Sequence, residues 1–423
     1  MKKRVVITGL GVVSPNGVGI PKFTEAIKNG RSGIQFFPEL RELNFSCQLG
    51  AMPTISEEKE REYLSELQLR NFNSSGILYG IIAGMDAFKD ANLEPAKNDE
   101  DPLWDLGIIF GSGTSGVEKF REAIYKIDDK NVRRLGSNSV AQTMTSGVSA
   151  YLGGLIGAGN MVTANSSACA TGTEALLMGY EHITHGKATY MLCGSTSDHG
   201  PYIWGGFDAM KVTTYKYNDS PEKVAGPMSA DASGFVPGSG AGAYLLESLE
   251  HAQKRGAKIY AEILGGAVNN GGQRGEGSMT APNGMAIQKC IKDALKNANI
   301  SASEIDYING HLTATSKDPD EIMNWSEALN RKGAEFPYIN SLKGMVGHCL
   351  AASGSIEIVS AVLQLYEGFI FPNVNCENLH PKITATISQE KISTKLLKTS
   401  LQTIAKASFG FGDVNACAIF KKI

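Results

Sequence analysis

No apolar run in this 423-residue chain approaches the roughly 20 residues that a membrane-spanning helix needs. Neither sign of charge dominates. Lys and Arg number 40 against 43 Asp and Glu, and the net charge of −3 argues against general nucleic-acid binding. Only a local basic patch for an acidic partner is left open. The seven cysteines are odd in number and form no CxxC pair. They read as free thiols of a reducing, cytoplasmic compartment rather than as a disulfide framework. The start, Met1 to Thr8, is charged and then apolar, but it reads as a strand rather than a secretory leader. Gly9 and Gly11 interrupt the apolar run, Ser14-Pro15-Asn16-Gly17 closes it, and no small-x-small cleavage site follows. A first buried strand is therefore expected at Arg4–Gly9, ending in a Gly9-Leu10-Gly11 turn. Ser14 stands where GxGxxG needs its third glycine, so the turn does not complete a dinucleotide-binding fingerprint.

Glycine is abundant, at 48 residues, in clusters such as Gly111-Ser112-Gly113, Gly238-Ser239-Gly240-Ala241-Gly242 and Gly410-Phe411-Gly412. Such clusters let backbone pack closely against backbone or ligand. Between them, short apolar runs alternate with helical periodicity. Strands are expected at 106–110, 189–193, 240–247, 259–268, 306–308, 338–340, 400–408 and 414–421. Helices are expected at 20–29, 57–71, 76–92, 140–157, 249–255, 285–297, 320–330 and 350–367. The polar stretch 118–137, with Lys130, Arg133 and Arg134, reads as a solvated helical insertion. The halves echo each other. Leu106–Thr114 and Asp306–Thr313 are each a strand running into small polar residues, and the strand, turn and helix around Cys169 has a counterpart around His348. This pattern implies an internally duplicated α/β fold, residues 1–250 and 251–423, whose turns meet at a shared site.

Chemistry has few candidate positions. From Asn165 to Gly186 a short apolar run passes through small residues into a helix, and Cys169 sits at the turn. A helix N-terminus lowers a thiol pKa and so favours the nucleophilic thiolate. A buried structural cysteine is the alternative. Histidine is scarce, with seven residues. His182 and His185 fall late in the Cys169 helix, where a cation is favourable. His199, His251 and His380 carry no partner signature. His311 follows a strand directly, and His348 ends the glycine-flanked loop Ser341–His348 that opens a helix. Both are either functional groups at the ends of buried elements or satisfied loop histidines. One Cys and two His suggest acyl transfer through a thioester. Cys169 lacks the Cys-Gly-Ser-Cys-Trp surroundings of a papain-like protease, and no pair has structural zinc spacing.

Six segments together resemble the elongating β-ketoacyl-acyl carrier protein synthases, the synthase II group of the thiolase superfamily. They are Arg4–Gly17, Ala168–Gly172, Gly234–Gly242, His311–Thr315, Asn340–His348 and Ser408–Gly412, in the family's order across nearly the whole chain. The resemblance implies the five-layered α-β-α-β-α thiolase fold and a decarboxylative Claisen condensation. Cys169 would accept an acyl group. His311 and His348, neutral, would donate to the thioester oxygen of a malonyl-carrier protein as it becomes an enolate. Backbone N–H groups of Cys169 and Phe411 would form the oxyanion hole. Lys343 would be the electrostatic partner of the histidines and Glu357 would support it. Phe409 would gate the acyl pocket, and Thr313 and Thr315 would hydrogen-bond the pantetheine arm. No metal or redox cofactor is implied, because phosphopantetheine arrives on an acyl carrier protein. Arg133 and Arg134 would dock that acidic partner. The chain would form a homodimer, or a heterodimer with a paralogue.

Other positions depart from the family's pattern. Asn71, Phe72 and Asn73 stand where basic residues are common, which suggests a specialised carrier protein. Leu312 and Asp413 each replace a glycine, and Asp413 is expected to add charge near the gate. Ala232, Ser233 and Ser239 replace the usual Arg, Asp and acidic residues, and Thr114 stands where a branched aliphatic often lines the acyl pocket. A polyene, aryl polyene or polyketide pathway fits as well as fatty-acid synthesis. A non-catalytic chain-length-factor-like partner, which typically lacks the nucleophile, is one alternative. A thiolase using Cys417 as a second cysteine is another.

Overall fold

The computed structural model describes residues 3–67 and 72–423. Ten strands form its central path: β1 (Val5–Ser14), β2 (Leu106–Ser112), β3 (Val162–Thr163), β4 (Tyr190–Ser197), β5 (Gly240–Ser248), β6 (Ala261–Asn270), β7 (Tyr307–Asn309), β8 (Tyr338–Asn340), β9 (Thr403–Gly410) and β10 (Val414–Lys421). In space they run β3-β2-β4-β5-β1-β6-β10-β9-β7-β8. Cut between β1 and β6, this is one order used twice. Each half places its strands first, fifth, fourth, second, third, with two antiparallel pairings followed by two parallel ones. A short antiparallel pairing, from Val5 opposite Ile263 to Ile7 opposite Ala261, joins the two arrays at their edges.

Helices fill the remaining layers. The outer face of the first array is covered by α1 (Ser75–Asp90) and α2 (Gly147–Ile156), with Ile77, Ile81, Phe88 and Leu152 packed on Ile108, Phe110 and Leu245. Next in chain order comes α3 (Thr171–Thr184), which lies inside. The second array is covered by α4 (Gly284–Ala298) and α5 (Asp318–Leu329) through Ile291, Leu295, Ile322 and Trp325 on Ile308 and Ile419. Between the arrays α3 is joined by α6 (Ser353–Glu367), and their Leu176, Ile183, Ile356, Val359 and Leu363 share a core with β1, β6 and β7. The result is α-β-α-β-α. A helix held between two sheets has no solvent face, and α6 is accordingly buried from Ser353 to Leu365.

Some elements differ from the sequence reading. β1 runs on to Ser14 instead of turning at Gly9. An added Cβ would lie 2.1 Å from the Ala87 carbonyl oxygen at Gly9 and 1.9 Å from that of Ala83 at Gly11. These glycines serve close approach of α1 to the strand, not a turn. The helix expected over 140–157 is two, Ser139–Thr143 and α2. The polar insertion folds as a helix at Val117–Asp128 and a short turn at Val132–Arg134. A helix at Pro201–Ala209 has no counterpart in the sequence reading. Its Gly205 and Gly206 mask the pattern, while Pro201 starts it and Trp204 buries it. The helix expected over 57–71 is observed at Glu57–Glu66, and Arg70 and Asn71 lie outside the described residues.

Candidate active site

Both central helices are entered the same way. β3 leads into a 3-10 turn at Ala168–Ala170 and then α3, and β8 leads, past a loop, into a 3-10 turn at Leu350–Ala352 and then α6. Ala168 and Leu350 both adopt positive φ, 48° and 52°. Ala168-Cys169-Ala170-Thr171-Gly172 therefore matches Leu350-Ala351-Ala352-Ser353-Gly354 position by position. A Cβ on Gly172 would meet the backbone nitrogen of Ser355 at 2.3 Å, and one on Gly354 would meet that of Thr173 at 2.9 Å. These two glycines let the helices cross at their first turns, which brings two helix N-termini to one place.

Cys169 is 9% exposed at this crossing. Its Sγ and ring nitrogens of His311 and His348 all lie within 4.8 Å of one another. His311 comes from the loop after β7, His348 from the loop before the Leu350 turn, and their rings meet edge to face at 5.6 Å. The backbone N–H groups of Phe411 and of Cys169 itself face the sulfur and favour its thiolate. Phe411 reaches it because Gly410 presses on the nucleophile turn, where an added Cβ would stand 3.1 Å from the Cys169 nitrogen. Aromatic rings wall the site. Phe409 lies 6.1 Å from His311, Phe235 lies 4.9 Å from His348, and Phe207 lies 6.0 Å from Phe411. A narrow cavity beside His348 is lined by Phe235, Thr313, Ala314 and Lys343.

The hydrogen bonds fix protonation. His348 Nδ1 accepts the Leu350 backbone N–H at 3.0 Å, with Ser353 Oγ at 3.1 Å. The proton of the neutral ring is thus on Nε2. His311 Nδ1 has no hydrogen-bond partner among the described residues. Burial first, and the Lys343 charge second, hold both imidazoles well below the usual histidine range. Lys343 Nζ donates to the His311 carbonyl at 2.6 Å and pairs with Glu357, and all three residues are buried. Without the family resemblance the sequence would place Lys343 and Glu357 on the surface. The Cys169 thiol is pushed up to about 11, chiefly by burial, against the lowering influence of Lys343 and of the Phe411 N–H. The lowering expected from a helix N-terminus does not prevail, because desolvation of the thiolate outweighs it. The three ligand atoms could bracket a soft cation. The Lys343 ammonium beside both imidazoles disfavours a dication there and favours an anion.

Beside the site, the buried charged residues Glu321, Asp318 and Lys406 escaped the sequence reading. Glu321 accepts the N–H groups of His311 and Leu312, each at 2.7 Å, and burial raises it to about 7. Asp318 accepts those of Thr313 and Ala314 at 2.8 and 3.1 Å, which shapes the loop where Thr313 Oγ1 and Thr315 Oγ1 lie 3.0 Å apart. Lys406 of β9 lies 2.9 Å from Glu357. Glu321 and Asp318 follow His311 on the first turns of α5, so their spacing from that loop was the available signal. Lys406 sits in an apolar strand and left none.

The departures resolve into backbone geometry. Leu312 and Asp413, which replace glycines, have positive φ, 20° and 63°. Asp413 is buried and turned to the facing loop. Its buried carboxylate accepts the N–H groups of Gln273 at 3.1 Å and Asn283 at 2.9 Å, clasping the loop 271–283. Thr114 is exposed, Ser239 is fully buried, and the Asn73 N–H is held by Gln142 at 2.7 Å. Arg133 and Arg134 are exposed on the Val132–Arg134 turn. Cys417 lies with Cys290 in the apolar layer under α4 and is not part of the Cys169–His311–His348 cluster, which does not favour a thiolase base there.

A duplicated five-layer fold, whose halves deliver one cysteine and two neutral histidines to a single buried point, defines an acyl-transferring enzyme of the thiolase class. Residues 2–252 match the family model for the β-ketoacyl synthase N-terminal domain, and residues 260–377 match that for its C-terminal domain. The chain is 33% identical over 427 residues to 3-oxoacyl-[acyl-carrier-protein] synthase 1 of Escherichia coli (strain K12), covering 100% of this chain and 99% of that one. It is 31% identical over 426 residues to the corresponding synthase 2 of Vibrio harveyi, covering 100% and 99%. Among solved structures it is similar to a type II PKS ketosynthase in complex with its acyl-carrier protein and bound to the hexaketide (TM-score 0.87, 30% identity, 100% of both chains). It is also similar to a β-ketoacyl synthase from Burkholderia phymatum STM815 (TM-score 0.88, 28% identity, 100% of both chains). The chain belongs to the β-ketoacyl synthase family and is a condensing enzyme of fatty-acid or polyketide synthesis. No helix among the described residues is long and apolar enough to cross a membrane.

Proposed function

We propose that Cys169 carries the growing acyl chain while His311 and His348 drive decarboxylation of a malonyl thioester. In the first step Cys169 Sγ loses its proton and attacks an acyl thioester. The N–H groups of Phe411 and Cys169 hold the tetrahedral oxyanion, and the carrier thiol leaves with a proton. In the second step the bond to the malonyl carboxylate breaks, carbon dioxide departs, and the electron pair moves onto the thioester oxygen. Hydrogen bonds from the two imidazoles stabilise this enolate, each donor being worth about 2.7–4 kcal/mol. The carbanion then attacks the acyl-Cys169 carbonyl, and the cysteine leaves as thiolate and is reprotonated. The product is a β-ketoacyl thioester. The observation that carries this reading is the Leu350 N–H on His348 Nδ1, which leaves the proton on Nε2 of a ring clustered with Cys169 and His311. Intact mass after incubation with an acyl-carrier protein tests it. An acyl adduct absent in Cys169→Ala, and malonyl decarboxylation lost in His311→Ala, are expected. Unimpaired decarboxylation by His311→Ala overturns the assigned role.

The thioester partner in this reading is an acyl carrier protein, which needs no metal or redox cofactor beyond its own phosphopantetheine. Exposed Arg133 and Arg134 would meet its acidic surface, Thr313 and Thr315 its pantetheine arm, and Phe409 would gate the acyl pocket. Asn71, Phe72 and Asn73, standing in the sequence where basic residues are common, favour a specialised carrier and pathway. Equal rates with the primary-metabolism carrier and with one encoded nearby would refute that preference. A homodimer is supported by the open edge of β3, where Met161 and Val162 are 36% and 38% exposed. Light scattering that gives a monomer would refute it. Seven free cysteines support a reducing, cytoplasmic setting. Residues 1–250 and 251–423 would be the two thiolase-like halves.

A further inference from the structure

Glu357 has two carboxylate oxygens, and the chemistry above uses one. Its Oε1 pairs with Lys343, and its Oε2 lies 2.9 Å from Lys406 Nζ. Lys406 is fully buried. Its ammonium also donates to Ser408 Oγ at 3.0 Å and to the Ala407 carbonyl, while it faces Glu357 Oε2 as an ion pair. Ser408 Oγ is 2.9 Å from Thr173 Oγ1, on the first turn of α3 behind Cys169. One polar chain thus runs from the His311 carbonyl through Lys343, Glu357, Lys406 and Ser408 to the nucleophile's helix. It crosses from the half that supplies the histidines to the half that supplies the cysteine. Two buried lysines thus share the Glu357 carboxylate beside the place where a thiolate and an enolate form.

We propose that Lys406 is a positioning residue for the condensation: it anchors Glu357, and through it Lys343 and His311, to the nucleophile helix, and it gives the site a second buried positive charge. The inference rests on the roles given above to His311 and His348. The charged and titratable groups facing Lys406 are Glu357 on α6, Lys343 on the segment before it, Glu321 on α5 and Cys417 on β10. Beyond Lys343 stand the two imidazoles, and Lys406 pushes both of them down.

The test is malonyl-carrier protein decarboxylation as a function of pH, with wild type, Lys406→Met, Glu357→Gln, the double variant and His311→Ala. Lys406→Met keeps the length of the stem and removes the charge. It should lower kcat about tenfold with little change in KM, since coupled neighbours carry effects of that order. Its acid limb should move to higher pH, because less positive charge opposes imidazole protonation. Glu357→Gln should move that limb to lower pH. The double variant restores the wild-type net charge and should return the limb towards wild type, which a merely structural role would not do. Should Lys406→Met fail to fold, the shift between Glu357→Gln and the double variant reports the same charge. An unmoved acid limb in these comparisons, with His311→Ala inactive, overturns the proposal for Lys406. Activity in His311→Ala overturns instead the reading of the site on which it rests.

Discussion

The crossing of α3 and α6 makes one substitution change sign with position. Gly172→Ala would place a methyl group 2.3 Å from both the backbone nitrogen and the Oγ of Ser355 and 2.7 Å from Ser195 Oγ, roughly 1 Å short of ordinary contact. The nearest obstacle is backbone, so a rotamer change cannot relieve it and the helices must part. Overpacking of this kind costs about 1–3 kcal/mol. Parting the helices also moves Cys169 away from His311 and His348, and a displacement of about 1 Å in a reacting pair costs on the order of 100-fold in rate. Gly354→Ala, whose nearest atom is 2.9 Å away, should do the same less severely. Gly154→Ala is the counterpart. It lies mid-helix in α2 with nothing within 4 Å of an added Cβ, so it should stabilise by about 0.5–1 kcal/mol through helix propensity. Denaturant midpoints and condensation kcat for the three variants give the order directly. A Gly172→Ala enzyme with wild-type midpoint and kcat would refute the argument that close crossing of these helices builds the site.

Three further outcomes follow from the charges. Because burial pushes the free Cys169 thiol up to about 11, its alkylation by iodoacetamide should keep accelerating across pH 8–10, and Lys343→Met should slow it at every pH; a plateau near neutrality contradicts this. Both imidazoles sit well below 6.5 in the folded protein, so their neutral form persists as pH falls through that value. Malonyl decarboxylation should therefore stay level from pH 8 to 6, and an acid limb at 6.5 would show that the histidines are not shielded as described. Asp413→Gly relieves the positive φ but removes the acceptor for Gln273 and Asn283, whose amides should exchange with deuterium on the order of tenfold faster. Unchanged exchange would mean that other contacts hold the 271–283 loop.

The duplicated fold was readable because strand length and apolar runs repeat in both halves, and because Cys169 and His348 each open a helix. The character of the glycines was not. A sequence cannot distinguish a glycine that turns from one that lets a helix lie on a strand, and Gly9 and Gly11 prove to be the second kind. Burial of charge was equally hidden. Lys343, Glu357 and Lys406 are each hydrophilic by type and become interior only through one another. The same burial reverses the expected effect at Cys169, since desolvation depends on what other parts of the chain cover the turn. Pro201–Ala209 was missed because tertiary packing of Trp204 overrides two glycines.

Leu312 and Asp413 show how the departures relate to the conserved chemistry. A residue with a side chain at positive φ is strained by roughly 1–2 kcal/mol relative to glycine. At Leu312 a buried carboxylate, Glu321, takes the backbone N–H, and Leu312 belongs to the apolar core under α4 and α5. At Asp413 the residue's own carboxylate supplies the compensation by binding two backbone N–H groups of the facing loop. Hydrogen bonds to a charged group contribute about 1.5–3 kcal/mol each, enough to offset the strain. In both places a glycine that could have flexed is replaced by a residue held from two sides. One lies directly after His311 and the other two residues after Phe411, so each fixes a segment that flanks the reacting atoms without touching them. Such changes leave Cys169, His311 and His348 clustered at one buried point. What they stiffen is the backbone on either side of the site, where Glu321 and Asp413 each hold amide N–H groups in place.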